Sequence, residues 1–191
     1  MALVPSLRLV GIIGSMVGLS ELCLNLVKRA KATAVTKDRH SLKLIWILNM
    51  GGCWLGMYCA VLLPSLAFPW REQVVLSGLC LCVLGLTLRW YAIIYLGRFF
   101  TVNVAIATDH RLIDSGPYRW IRHPSYAGGL LIVLGFGLCM GNIASLLIFM
   151  TCFLIACLRR IQVEEQALIE AFGGQYRDYM QRTKRLIPFV Y

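Results

Sequence analysis

The stretch AGGLLIVLGFGLCMGNIASLLIFMTCFLIACL, residues 127–158, contains 32 residues without a single charged side chain. One helix of this length would reach about 48 Å, whereas the hydrocarbon core of a bilayer is about 30 Å thick. Met140-Gly141-Asn142 lies near its middle and has the composition of a turn. The stretch therefore predicts two short membrane helices joined as a tight hairpin. Small residues would let the two arms approach closely, namely Gly128, Gly129, Gly135, Gly137 and Gly141.

Three further apolar stretches precede the hairpin and are long enough to cross a bilayer as helices. They run from about Val4 to Val27, from Leu44 to Phe68 and from Gln73 to Leu96. The first resembles a signal peptide, but the basic segment after it would resist translocation, so we predict a retained span. Only 15% of the residues are charged, against about 25% in soluble domains. We therefore expect an all-α integral membrane protein with about five transmembrane helices.

The net charge of +10 fits membrane topology better than nucleic-acid binding. Of the 19 Lys and Arg residues, 16 fall in three polar segments, residues 28–43, 97–126 and 159–191. If the spans alternate in direction, all three segments lie on one face, as the excess of basic residues in cytosolic loops requires. The N-terminus is then predicted on the opposite side.

One membrane domain is expected over residues 1–191. It would comprise three N-terminal spans (1–96), a cytosolic loop (97–126), the hairpin (127–158), and a cytosolic C-terminal helix and tail (159–191). The eight Cys all lie in apolar stretches without zinc-site spacing, so we predict packing residues rather than disulfides or metal ligands.

Chemistry is concentrated in the predicted loop segment DHRLIDSGPYRWIRHPSY, residues 109–126, which holds two of the three His of the chain. Pro124 suits the first turn of the following helix, because its missing N–H is not needed there. The free N–H groups of that turn would favour a carboxylate or a similar anion. Arg119 and Trp120 are predicted to be interfacial anchors, whereas the cluster from Arg122 to Tyr126 is denser than anchoring requires.

Arg160 and Glu164 form a second candidate pair, because four residues place them on one helical face. Their order is the reverse of the one that stabilises a helix, and an acid beside a base could hold a zwitterion. Glu165 points elsewhere and is predicted to be solvated. Glu21 and Arg89 lie within about two turns of predicted cytosolic ends, so snorkelling is expected to explain both.

These residues resemble the isoprenylcysteine carboxyl methyltransferase family and related membrane phospholipid methyltransferases. The matching elements keep the family's order and spacing: GPYR (116–119), RHPSY (122–126), RIQVEE (160–165), FGGQYRDY (172–179) and RLIP (185–188). Membrane sterol reductases that use NADPH carry something similar to the Arg-His-Pro element. The combination with Arg160, Glu164 and the Phe-Gly-x-x-Tyr element is specific, and the likeness covers about half the chain.

The resemblance implies a methyltransferase that binds S-adenosylmethionine in a cytosolic pocket, with no metal. Carried over by position, it implies catalytic roles for Arg160 and Glu164. It implies a cofactor pocket formed by His110, Arg111, Leu112, Ile113, Tyr118, His123, Pro124, Ser125, Tyr126 and Glu164. The acceptor would be a lipid or lipidated molecule entering from the bilayer, and carboxyl O-methylation of an isoprenylcysteine-like acceptor is the expected reaction.

Three alternatives stay open from the sequence. The acceptor could be a phospholipid amine or a phenolic lipid, which would need a proton removed before methyl transfer. The chain could instead be an NADPH-dependent reductase of the sterol-reductase type. It could also be a membrane scaffold without activity.

Overall fold

The computed structural model describes residues 3–27, 35–36, 41–100, 105–106, 111–188 and 190. Within these ranges the regular secondary structure is helical, as predicted, apart from one pair of two-residue strands. The helices are α1 (Leu3–Val27), α2 (Ser41–Leu62), α3 (Arg71–Leu96), α4 (Pro124–Cys139), α5 (Ile143–Phe172) and α6 (Gly174–Arg182). Short 3-10 turns cover Pro64–Leu66, Gly97–Phe99 and Gly116–Arg119. Strand β1 (Val35–Thr36) pairs antiparallel with β2 (Ala105–Ile106).

The connections between helices meet at two opposite ends of the bundle. At one end, the β1–β2 pair joins the α1–α2 connection to the α3–α4 connection. At the other end, the backbone N–H of Phe68 donates to the carbonyl of Gly141 at 3.0 Å. The Asn142 side chain also donates to the Leu63 carbonyl there, at 2.8 Å. The helices α1 to α5 therefore run alternately up and down.

Apolar length and exposure make this a multi-pass membrane protein. Three described segments are long and apolar enough to cross a bilayer, Ser41–Leu62, Glu72–Phe99 and Ile143–Phe172. Gly14–Leu24 and Pro124–Cys139 are shorter apolar helices. Large apolar side chains stand exposed on these helices, including Trp54, Val61 and Ile94. Water would not tolerate so much exposed apolar surface, whereas lipid does.

The predicted hairpin is present as α4 and the first part of α5. Gly141 takes a positive φ of 72° in the turn. The Asn142 side chain accepts from the backbone N–H groups of Ala144 and Ser145, which caps α5. The predicted boundary between residues 158 and 159 is not a helix boundary, because α5 continues to Phe172. Residues 159–172 change in polarity but contain no helix breaker, and α5 ends only at Gly173, where φ is 55°.

Two of the four glycines of α4 serve a different contact from the one predicted. We expected them to bring α4 close to α5, but Gly128 and Gly135 face α3. A Cβ atom built at Gly85 of α3 would lie 2.6 Å from the Gly128 carbonyl oxygen, and Gly78 faces Gly135 in the same way. Both pairs are seven residues apart, or two turns, so they form one seam. Only Gly129 and Gly137 face side chains of α5.

A buried carboxylate fastens the C-terminal tail to the rest of the fold, and it belongs to Glu165. Glu165 was predicted to be solvated, which is wrong, because the residue is 3% exposed. Its Oε1 accepts from Arg122 Nε at 2.9 Å, and its Oε2 accepts from Arg185 Nε at 3.0 Å. His123 Nε2 lies 3.4 Å from Oε1. Successive helical residues differ by about 100° in direction, so Glu165 faces this cluster while Glu164 faces elsewhere.

Backbone hydrogen bonds complete this C-terminal attachment. The N–H of Arg122 donates to the Lys184 carbonyl at 2.7 Å, and the N–H of His123 donates to the Arg185 carbonyl at 3.0 Å. The Arg122 guanidinium also donates to the carbonyls of Met180 and Thr183 at the end of α6. Arg122 is therefore a structural link between the loop, α5 and the tail rather than a lipid anchor.

The glycine seam predicts a local steric cost. Gly85→Ala should lower the free energy of unfolding by about 1–3 kcal/mol, because its Cβ would overlap the α4 backbone. Gly51→Ala in α2 is the matched control, since nothing lies within 4 Å of its Cβ position. Thermal unfolding in detergent checks this, and an equal loss in both variants would contradict the seam.

The Glu165 cluster predicts a larger loss. Glu165→Gln removes the charge that Arg122 and Arg185 share, and breaking a buried ion pair costs about 3–5 kcal/mol. Gln166→Ala on the exposed face of the same helix should change stability by less than about 0.5 kcal/mol. Denaturant unfolding of both variants measures the difference, and a Glu165→Gln protein as stable as wild type would refute this assignment.

Candidate active site

A cavity of about 480 Å³ lies among α1, α2, the end of α3, α4, α5 and the loop that leads into α4. This size is typical of small-molecule sites, which run from about 300 to 1,000 Å³. Its walls come from both halves of the chain, so the site exists only once the bundle is assembled.

The cavity collects nearly all the predicted site residues. Ten of them line it, namely Arg111, Leu112, Ile113, Tyr118, His123, Pro124, Ser125, Tyr126, Arg160 and Glu164. His110, the remaining one, lies outside the described residues. Their common location is what the sequence led us to expect, while their individual roles in binding and catalysis stay predictions.

The N-terminal turn of α4 brings His123 to Tyr126 to the cavity wall. His123 is the residue before the helix, and Pro124 is its first residue, as predicted. His123 is only 4% exposed, and its ring stacks at a tilt on Tyr126, with 5.7 Å between the centroids. The turn is held on its outer side by the Glu165 cluster, so its side chains face the cavity in a fixed arrangement.

Tyr126 links the two predicted catalytic residues. Its hydroxyl donates to Glu164 Oε2 at 2.9 Å and accepts from Arg160 Nε at 3.3 Å. Arg160 is 3% exposed. The phenol therefore holds a carboxylate and a guanidinium side by side at the cavity wall, and both polar groups are oriented before any ligand arrives.

Ser41 is a contact that the sequence did not indicate. It is the first residue of α2 and is 3% exposed. Arg160 Nη1 donates to the Ser41 hydroxyl at 2.7 Å, across 119 residues of sequence. Since a lone Ser at a helix start is ordinary capping chemistry, no signal in the sequence singles it out.

Glu21 and Arg89 form a second charged pair on the cavity wall, which corrects the prediction that each merely snorkels. Arg89 Nε donates to Glu21 Oε1 at 2.6 Å, and Nη2 donates to Oε2 at 2.9 Å. The third nitrogen, Nη1, donates to the Ser125 hydroxyl at 3.1 Å. A two-pronged ion pair explains how both charges are tolerated within apolar helices. It also ties α1 and α3 to the first turn of α4.

Two tyrosines secure the loop side of the cavity. The Tyr118 hydroxyl donates to the Ala92 carbonyl at 3.2 Å, and the Tyr179 hydroxyl donates to the Tyr118 carbonyl at 2.6 Å. Burial raises the pKa of Tyr118 and of Tyr179 above the ordinary range of a phenol. Both hydroxyls therefore remain protonated at neutral pH and keep donating these hydrogen bonds.

The cavity changes character along its length. Its charged part is formed by Arg160, Glu164 and the first turn of α4. Away from it, toward the middle of the bundle, the walls become apolar: Val17, Met50, Cys53, Ile132, Phe136, Phe149 and Phe153. We call this region the apolar limb. Ligands that together fill both regions must carry a charged group and a long apolar group.

The family model of the isoprenylcysteine carboxyl methyltransferase family matches residues 78–170. That range contains most of α3, the loop, α4 and most of α5. It therefore contains the predicted catalytic pair and every predicted cofactor residue. Helices α1 and α2, which supply much of the apolar limb, lie outside it.

Named relatives agree with the family match. A protein-S-isoprenylcysteine O-methyltransferase of Tribolium castaneum is 39% identical over 123 residues, covering 59% of this chain and 41% of the relative. A probable protein-S-isoprenylcysteine O-methyltransferase of Oryza sativa subsp. indica is 32% identical over 133 residues, covering 69% of each. The chain thus spans about two fifths of the length of the first relative and about two thirds of the second.

A solved structure also resembles the whole chain. The structure of the eukaryotic intramembrane Ras methyltransferase superposes with a TM-score of 0.71 and 25% sequence identity, covering 100% of this chain and 70% of the other. The family predicted from the sequence is confirmed. The enzyme class that was predicted, a protein-S-isoprenylcysteine O-methyltransferase, is the one in the names of the relatives. This chain belongs to the isoprenylcysteine carboxyl methyltransferase family.

Proposed function

We propose that this chain transfers a methyl group from S-adenosylmethionine to the carboxylate of an isoprenylcysteine-like, lipidated acceptor. The observation that supports this most is the joining of a charged region to the apolar limb in one cavity. The methyl donor is polar and charged, whereas the acceptor carries a long hydrocarbon tail. A cavity with only one of these two characters would suit only one of the two reactants.

The charged region has the groups that S-adenosylmethionine needs. Glu164 carries the negative charge that pairs with an ammonium group, and Tyr126 on the first turn of α4 donates a hydrogen bond to it. His123 lines the same cavity. Ser125 and the loop residues Arg111 to Ile113 complete the wall. When bound, S-adenosylmethionine supplies an electrophilic methyl group on a sulfonium sulfur.

Arg160 orients the acceptor carboxylate in this proposal. A guanidinium matches the planar geometry of a carboxylate, and the side chain is already held by Tyr126 and Ser41. A carboxylate is ionised at neutral pH, so no residue has to act as a general base. The protein contributes alignment and the exclusion of water, and the buried setting of Arg160 provides both.

The hydrocarbon tail of the acceptor lies in the apolar limb in this proposal. Its walls are formed by side chains of α1, α2, α4 and α5, which stand between the charged region and the bilayer. A tail that enters sideways between helices stays in apolar surroundings throughout. Burial of each CH₂ group contributes about 0.8 kcal/mol, so a prenyl chain adds substantially to binding.

The arrangement in the membrane follows from the charge distribution. We infer five spans, α1 to α5, although α4 is short, with the N-terminus on the side opposite the active site. Basic segments precede α2, precede α4 and begin in the last part of α5, at the end of the bundle where the β1–β2 pair joins two connections. The positive-inside tendency puts this end in the cytosol. Residues 159–172 would then extend from the membrane as the cytosolic part of α5.

The central test is methyl transfer by variants of the catalytic pair. Arg160→Ala and Glu164→Gln should each lower the transfer of labelled methyl groups to a farnesylated cysteine analogue by a factor of about 100 or more. Arg159→Ala is the matched control. Arg159 is next to Arg160 in the sequence, but its side chain is exposed and donates to Gln162. Near-normal turnover in both site variants would overturn the site assignment.

The same assay identifies the acceptor class when a lipid panel runs beside it. Methylation of the farnesylated cysteine and not of phosphatidylethanolamine is the expected result. The reverse preference would keep the methyltransferase but contradict the carboxylate acceptor. NADPH binding without S-adenosylmethionine binding in calorimetry would contradict the enzyme class.

Ser41 should act as a positioning residue through Arg160. Hydrogen bonds to charged groups contribute about 1.5–3 kcal/mol, so Ser41→Ala should lower kcat about tenfold or more. The affinity for S-adenosylhomocysteine should stay unchanged, because Glu164 keeps its Tyr126 contact. Ser77→Ala removes an exposed hydroxyl of α3 and is the control. A loss of cofactor affinity with unchanged kcat would contradict this role.

A further inference from the structure

Asn49 of α2 is a polar side chain that lines the cavity and that the fold does not use. Among the described residues, no group donates a hydrogen bond to its enclosed carbonyl oxygen Oδ1. Its amide nitrogen Nδ2 has no described partner either, but this atom is not enclosed, and the residue as a whole is half-buried. An amide without partners in apolar surroundings costs stability, so an apolar side chain would serve the fold better at this position.

The position of Asn49 along α2 places it beside the tail of the acceptor. The cavity-lining residues of α2 follow the spacing of one helical stripe, namely Leu42, Ile45, Trp46, Asn49, Met50 and Cys53. At 1.5 Å per residue, Asn49 lies about 12 Å along the helix from Ser41, whose hydroxyl accepts from Arg160. Met50 and Cys53, its neighbours on the stripe, belong to the apolar limb. A ligand group beside Asn49 is therefore part of a tail and not of a carboxylate held by Arg160.

The amide N–H groups of Asn49 distinguish between tails that have the same length. Beside a saturated chain, an N–H group loses its hydration and gains no hydrogen bond in return. A carbon–carbon double bond is different, because its π electrons accept a weak hydrogen bond, as those of an aromatic ring do. An isoprenyl chain carries one double bond in every isoprene unit, whereas a saturated acyl or alkyl chain carries none. The amide therefore costs less binding energy with an isoprenyl tail than with a saturated one.

We propose that Asn49 is a specificity residue for the tail of the acceptor, in which Nδ2 donates to a double bond of an isoprenyl chain and thereby disfavours saturated chains. This inference rests on the proposed function for the identity of the acceptor and for the place of its tail. Specificity is a difference between two affinities, so a contact that penalises the wrong tail is as effective as one that attracts the right tail. Asn49 lies outside residues 78–170, the range that matches the family model.

The experiment measures methyl transfer by the full chain in lipid nanodiscs to two acceptors, N-acetyl-S-farnesylcysteine and its analogue with all double bonds of the tail reduced. The quantity compared is the ratio of kcat/KM for the farnesyl acceptor to kcat/KM for the saturated one. Asn49→Leu should lower this ratio about three- to fivefold relative to wild type, the size of one weak hydrogen bond. The change should come from a lower KM for the saturated acceptor, with kcat unchanged. Ile47→Leu, at an exposed position that does not line the cavity, is the matched control and should keep the wild-type ratio. Thermal unfolding should find Asn49→Leu as stable as wild type or more so.

Each other outcome contradicts a different statement. An unchanged ratio in Asn49→Leu, with normal wild-type turnover, would overturn the role of Asn49 and leave the proposed function standing. An equal loss of kcat with both acceptors would show that Asn49 acts on the reacting groups, which also overturns a role in tail selection. A less stable Asn49→Leu protein would show that the amide has a structural partner and would overturn the inference in the same way. Failure of wild type to methylate either acceptor would overturn the proposed function together with this inference.

Discussion

The site depends on the ion pairs of the buried Glu165 carboxylate. A charge at 3% exposure is tolerated only with partners, and Arg122 and Arg185 provide them from the loop and from the tail. These contacts pull residues 121–123 and 184–185 together beside α5. The first turn of α4 begins at this point, so the same cluster that neutralises Glu165 also sets where His123 to Tyr126 stand relative to Glu164.

A second constraint acts on the same turn from the other side. The glycine seam brings the backbones of α3 and α4 into direct contact, which fixes the depth of Arg89 relative to α4. Arg89 reaches both Glu21 and Ser125 from that depth. The turn is thus held between two charged clusters, one toward the tail and one within the bundle. Preorganisation of this kind lets a site act by alignment instead of by proton transfer.

Local signals in the sequence predicted the spans, the hairpin turn and the helix start at Pro124, because each depends on composition within a few residues. They also predicted that Arg160 and Glu164 share one helical face, and both residues line the cavity. They failed for Glu165, since its partners lie 20 and 43 residues away and only the folded chain brings them together. The prediction for Glu21 and Arg89 failed for the same reason, because 68 residues separate the two partners in the sequence. Glycines alone likewise indicate a close approach without saying to which neighbour.

The division of the cavity between two parts of the chain bears on specificity. The family match covers residues 78–170, which contain the predicted catalytic pair and the turn at the start of α4. The apolar limb draws Val17, Met50 and Cys53 from α1 and α2, outside that match. Chemistry shared by the family requires the charged region to stay alike, whereas any apolar wall of suitable width accepts a hydrocarbon tail. Under the proposed function, discrimination between acceptors with different tails would therefore fall to α1 and α2, and Ser41 ties that half of the protein to the guanidinium of Arg160.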